Sequence, residues 1–301
     1  MDNIKQSSIS KNRSYTACLS AAHGMMFDNI RTIFCRTWTY CLSLALISAI
    51  YVSLYLHAML YGCSTGLTVV LCITTLITLA VQIACQAKVI SLVNGQSMKW
   101  NVTRCTNIAV CSIAFCVMLA LIYTFVTYSV VIYKQPMTIS VRDMQPLFYV
   151  LGAMSIIIML ILLPFTFVIM KYLMEPESRL RKIIFKSYKT GLRHWGLIFT
   201  ALFLATLCTT ICALFVSIPM LIILAANTLS VYGVNFIGDP TGLPSYFTAI
   251  QLAVFTLTFF IWQYVNIFIT FVCYFLYGSI ITREKEKNNL KKEIKDQKVT
   301  I

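Results

Sequence analysis

Apolar side chains occupy nearly every position of six stretches, and the polar residues collect between them. The stretches are 40–60, 66–86, 107–132, 148–170, 195–226 and 248–281, and none contains an Asp, Glu, Lys or Arg. A hydrocarbon layer of about 30 Å takes about 20 residues of helix to cross. In lipid the backbone must satisfy its own hydrogen bonds, so each stretch is predicted to be a transmembrane helix. The fifth and sixth are longer than the minimum, which predicts tilt or extension beyond the bilayer. Pro164 and Pro219 each remove one helical hydrogen bond, and a kink is expected at both.

The links between the stretches alternate in charge. Lys and Arg crowd into residues 1–36, the link 87–106, the link 171–194 and the tail 282–301; elsewhere only Lys134 and Arg142 occur. Positive charge is retained on the cytoplasmic side, so both termini are expected there, with six crossings between them. The expected organisation is a cytoplasmic N-terminal segment 1–36 with an amphipathic helix, a six-helix membrane domain 37–281 and a charged cytoplasmic tail 282–301. The tail holds Leu290, Ile294 and Ile301 on a short apolar stripe. It is expected to fray into solvent, the alternative being a prolongation of the sixth helix or a partner-binding helix.

Composition agrees with that pattern. Of 301 residues 59 % are hydrophobic and 11 % charged, against about 25 % charged in an average soluble domain. Intrinsic disorder is excluded by the same figures. The net charge of +14 does not point to nucleic acid, because no soluble segment is long enough for a groove-reading or base-stacking domain. It is the topological bias of the inner links. The first apolar stretch spans fully and has no small-residue cleavage site, so a cleavable signal peptide is not expected. Asn12-Arg13-Ser14 and Asn101-Val102-Thr103 match the glycosylation pattern but fall on the expected inner side, and are read as chance matches.

Arg36 and Trp38 lead into the first span, Trp100 and Arg104 precede the third, and Arg193 and Trp195 open the fifth. Such residues favour the depth where headgroups meet hydrocarbon. The layout suggests three units, each an amphipathic helix followed by a transmembrane hairpin. The clearest surface helix precedes the fifth span. At 100° per residue Leu180, Ile183, Ile184, Tyr188, Leu192 and Trp195 share one face, with basic residues opposite. Arg179, Arg181, Lys182, Lys186, Lys189 and Arg193 are the candidate contacts to anionic lipid. The simpler reading, that these charges only hold the link inside, fits the same pattern. The segment around residues 18–34 repeats it with less charge.

Chemistry at depth is sparse. The one ionisable residue in a span is His57, near Tyr51, Tyr55 and Tyr61, and an imidazole resting among interfacial aromatics is expected. Ion paths and proton relays ordinarily need buried carboxylates or their equivalents. Three histidines placed on opposite sides cannot assemble a metal site, no Cys-x-x-Cys occurs, and no metal or other cofactor is expected. Cys208 and Cys212 share a helix face, and thiols in lipid behave as small hydrophobes. Cys63 stands alone on the outer side, so no disulfide is expected. Gly-x-Ser-x-Gly, phosphate-cradling and His-Glu-x-x-His motifs are missing, and no catalytic residue is predicted.

Neutral polar residues are the remaining candidates. Thr256, Gln263 and Thr270 recur every seven residues in the sixth span, with Asn266 beside Gln263, and Gln82 and Gln86 lie one turn apart in the second. Interhelical hydrogen bonding is the expected role; a polar cavity wall is the alternative. The outer link 227–247, with Gly233, Gly238, Asp239-Pro240, Gly242 and Pro244, is expected to turn rather than form helix.

Two functional readings follow. The first is a non-catalytic multi-pass membrane protein acting through membrane lipids, a membrane-protein partner or a second copy of itself. The second is a permease for a neutral, zwitterionic or lipid-like small solute, with Gln263, Asn266 and Gln82 lining its route. An intramembrane enzyme ranks third. The lysine-rich inner face suits a bacterial cytoplasmic membrane.

Overall fold

The computed structural model describes residues 11–133, 141–234, 238 and 243–299, and every element in it is an α-helix. The helices are α1 (Tyr15–Asp28), α2 (Ile30–Tyr61), α3 (Thr65–Asn94), α4 (Met98–Tyr133), α5 (Val141–Leu162), α6 (Phe165–Met174), α7 (Leu180–Arg193), α8 (Trp195–Tyr232) and α9 (Phe247–Val299). Six spans are long and apolar enough to cross a membrane: α2, α3, α4, α5 with α6, α8 and α9. All six contain their predicted apolar stretch or most of it. The fit is to an integral multi-pass membrane protein. Mid-span residues such as Leu76, Phe125 and Phe215 are 67 %, 71 % and 70 % exposed. An exterior of that kind is stable against hydrocarbon and unstable against water.

Helix boundaries follow local chemistry. The Ser14 and Ser64 hydroxyls accept from Ala17 N and Leu67 N at 3.3 and 3.2 Å, capping α1 and α3. Gly95, at φ 68°, closes α3 in the left-handed conformation. Only residues 95–97 separate α3 from α4, so Trp100 and Arg104 lie inside α4 rather than on a separate surface helix. A distinct short helix does precede the first and third hairpins, as α1 and α7. The tail is helical as far as Val299, the continuation of the sixth span and not the frayed end expected of it. Leu290 and Ile294 are exposed along it.

The chain forms two compact units, residues 1–102 with 200–301 and residues 103–199. In the first, α2 packs on α3 and α9, and α1 packs on α9. Its densest core lies on α9, where Phe271, Tyr274, Phe275 and Ile280 are almost fully buried. The apolar stripe of α1, Cys18, Ala22 and Met25, is buried as well. Arg13 fixes the entry to α1: its N–H donates to Ser279 Oγ at 3.0 Å, and that hydroxyl donates back to Arg13 O at 2.9 Å. The Arg13 guanidinium stands 5.1 Å from the Phe275 ring centre. Burial pushes the Cys18 thiol above its ordinary pKa, against the opposing pull of Arg13 and Arg283. The first surface helix thus gives its apolar stripe to its own chain.

In the second unit Pro164 ends α5, and the chain restarts as α6 at Phe165. Proline has no N–H for the Leu160 carbonyl, which accepts from Trp195 Nε1 at 3.1 Å instead. The Ile161 carbonyl accepts from the Tyr188 hydroxyl at 3.1 Å. Gly191 lies against the same break, where an added Cβ would stand 2.9 Å from Pro164 O. Pro219, by contrast, sits inside an uninterrupted α8. A second anchor is Arg104, 7 % exposed. Its guanidinium donates to the carbonyls of Tyr172, Glu175 (2.9 Å), Pro176 (2.5 Å) and Ser178 (3.1 Å) and to Ser178 Oγ (3.0 Å). It also lies 4.4 Å from the Tyr172 ring centre. A cation here complements the negative end of α6. Arg104 is therefore turned into protein and not toward headgroups.

Candidate functional site

Three helices of the first unit change character at one level. Ala49 on α2, Ile223 on α8 and Phe255 on α9 form a buried apolar cluster. One turn toward the loop ends, the same faces carry Ser53, Asn227 and Gln251, because residues four apart stack on a helix. Asn227 Nδ2 donates to its own Ile223 carbonyl at 2.9 Å and to Gln251 Oε1 at 3.0 Å. Gln251 is 6 % exposed. The Ser53 hydroxyl is buried and has no hydrogen-bond partner among the described residues. These groups line a cavity of about 540 Å³ whose wall also includes His57, Leu60, Leu243 and Phe247. Among the described residues no Asp, Glu, Lys or Arg lines it. His57 is exposed at its rim, with its ring centre 4.8 Å from that of Tyr61. A second cavity, about 550 Å³, runs along Leu42 and Leu46 of α2 and Leu252, Thr256 and Phe260 of α9, and is almost wholly apolar.

Thr256 lines that second cavity, and its hydroxyl donates to the Leu252 carbonyl at 2.7 Å. Thr270 donates likewise to Asn266 O at 3.2 Å. Gln82 and Gln86 on α3 and Gln263 on α9 are half-buried, and Asn266 is exposed. No side-chain hydrogen bond joins these four amides to another helix among the described residues, and none of the four lines either cavity. The predicted polar positions are therefore not brought together at one place. The residues that do converge, Ser53, Asn227 and Gln251, carry no repeat or motif that singles them out in the sequence.

The basic candidates are brought together. Arg179 caps α7, and Arg181, Lys182, Lys186, Lys189 and Arg193 are exposed along it. The helix is seated on α6 through Ser187 and Gly191. Leu192 is thereby turned outward, 53 % exposed, and Phe185 is 86 % exposed. The seam falls at the small residues, with Leu180, Ile183, Ile184 and Tyr188 of the predicted apolar face half-buried beside it, since only glycine admits the Pro164 backbone so closely. The free side of α7 thus presents an apolar edge beside a basic one.

All twelve cysteines are free thiols, and Cys208 and Cys212 are exposed on α8. Cys41 and Cys85 face each other across α2 and α3 with sulfurs 3.8 Å apart. Asn12 accepts from Arg283 Nε at 2.8 Å, and Asn101 is buried against Asn94. Lys134, Asp239, Pro240 and Gly242 lie outside the described residues, as does part of the outer link, and of Arg142 and Asp143 only the helical backbone is described. No known protein family, curated protein or solved structure matches the chain.

Proposed function

We propose that this chain is a non-catalytic multi-pass membrane protein, both ends on the cytoplasmic side, that acts by engaging anionic lipid through α7. The free face of α7 supports this reading: five exposed bases and the Arg179 cap surround exposed Phe185 and Leu192. A helix of that kind lies in the membrane surface with its apolar edge among the acyl chains. Each base near an anionic leaflet is worth about 1 kcal/mol. The segment follows directly on a membrane span, which holds it at the depth where both edges are useful. The basic distribution of the inner links supports the orientation, and the lysine-rich face suits a bacterial cytoplasmic membrane.

The test is a Phe185→Trp variant of the full chain in phosphatidylcholine nanodiscs, with and without phosphatidylglycerol, against brominated-lipid quenching. Quenching above the wild-type tryptophan background is expected to deepen with anionic lipid. It is expected to fall back when Lys182, Lys186 and Lys189 are changed to Glu. Quenching indifferent to headgroup charge and to those substitutions would overturn the reading. Reporter fusions at the two ends check the orientation separately. The polar cavity of α2, α8 and α9 favours a second reading, a permease for a small neutral solute, for which uptake by the reconstituted protein is the assay.

A further inference from the structure

The cavity above Ala49, Ile223 and Phe255 has unsatisfied hydrogen-bonding capacity and, among the described residues, no Asp, Glu, Lys or Arg on its wall. Both amide protons of Asn227 are used internally, on Ile223 O and Gln251 Oε1. Among the described residues the buried Ser53 hydroxyl has no hydrogen-bond partner, and the hydrogen bond of the Gln251 side chain is made through its Oε1. Polar groups out of water without partners are costly, and a guest that supplies acceptors relieves that cost. The rest of the wall is apolar, with Leu54, Leu60, Leu243 and Phe247. Among the described residues no Asp, Glu, Lys or Arg lines the wall and His57 stands at the rim, so a charged headgroup would find no ion-pair partner beside Ser53 and Gln251. A volume of about 540 Å³ is within the range of about 300–1,000 Å³ typical of small-molecule sites.

We infer that this cavity binds an uncharged amphiphile with a hydroxyl or ester head and an apolar body. The head accepts from Gln251 Nε2 and Ser53 Oγ, and the body rests on the leucines and Phe247. The inference is independent of α7. Such chemistry is offered by a membrane glyceride and by a water-soluble short-chain ester, and the experiment separates them.

The full chain in phosphatidylcholine nanodiscs is photolabelled with a diazirine-bearing diacylglycerol, with the corresponding phosphatidylglycerol as the charged control. Labelling is expected on α2 or α9 peptides around Ser53 and Gln251, and the charged control is expected to label them at least tenfold less. Ser53→Ala is the decisive variant because its hydroxyl has no internal partner, so the fold loses no bond. Its Tm is expected to stay level or rise while labelling drops about tenfold, as for one lost hydrogen bond to a guest. Gln251→Leu is expected to lower it further. Competition by glycerol monobutyrate assigns the site to a soluble ester; labelling that resists it assigns the site to a membrane glyceride. Equal labelling by the charged lipid, or undiminished labelling of a folded Ser53→Ala protein, overturns the inference.

Discussion

α1 and α7 are each 14 residues long and each precedes a transmembrane hairpin, yet they are held in opposite ways. α1 buries Cys18, Ala22 and Met25 on its own chain and is tied by backbone bonds to one hydroxyl, Ser279. α7 is seated by its two smallest residues, Ser187 and Gly191, with Leu180, Ile183, Ile184 and Tyr188 half-buried, and keeps Phe185, Leu192 and its basic side chains outside. An amphipathic stripe records that a helix has an apolar face. It does not record what covers that face. Where a proline break supplies carbonyls for Tyr188 and Trp195, the seat closes on Ser187 and Gly191, and Phe185 and Leu192 stay exposed.

The difference breaks first at Arg104. Arg104→Ala leaves the carbonyls of Tyr172, Glu175, Pro176 and Ser178 without their shared donor and removes the cation from the end of α6. Losing one partner of a buried charge-assisted network costs about 3–4 kcal/mol. Denaturant unfolding of the reconstituted chain measures it. Arg104→Lys is expected to recover little, since three donors on a point charge cannot span that set of acceptors. Unfolding unchanged by either substitution would show that the network does not hold the α6–α7 link.

Gly191→Val acts next, on the seat alone. The new side chain meets the Pro164 backbone, where even a Cβ would be 2.9 Å from the carbonyl oxygen. Overpacking of this kind costs about 1–3 kcal/mol. Amide exchange across α7 is expected to quicken while exchange across α1 stays as it was. If both helices loosened together, they would not be the separately fixed elements described above.

The period of the apolar positions was enough to place all six spans and the break at Pro164, because a span is a local property: length, hydropathy and one missing N–H decide it. The basic face of α7 was legible for the same reason. The Arg104 socket, the Ser279 clamp and the Asn227–Gln251 pair were not, because each joins residues far apart in the chain and none repeats with a helical period. The heptad line of Thr256, Gln263 and Thr270 was regular and drew the eye. Its two threonines instead bond within their own helix, the usual outlet for a hydroxyl in an apolar span.

The smallest effect is expected at α1. Ser279→Ala removes the two bonds between Ser279 and the Arg13 backbone, for about 1–2 kcal/mol, and leaves the Arg283 donation to Arg13 O at 2.8 Å, which loosens α1 and leaves α7 unmoved. Cys18 reports it, being buried in the folded chain while Cys63 is exposed. Maleimide is expected to label Cys63 quickly and Cys18 slowly in the parent chain, and Cys18 several-fold faster in the variant. The thiol adds a pH dependence of known sign. Its pKa is raised by burial, so its contribution to docking is full below the ordinary thiol pKa of about 8.5 and is lost as pH climbs through the raised value. Cys18 labelling should therefore rise with alkali as the docking contribution of the protonated thiol is lost. Equal rates at the two cysteines in the parent chain would mean that α1 is not docked on α9, and the contrast with α7 would disappear.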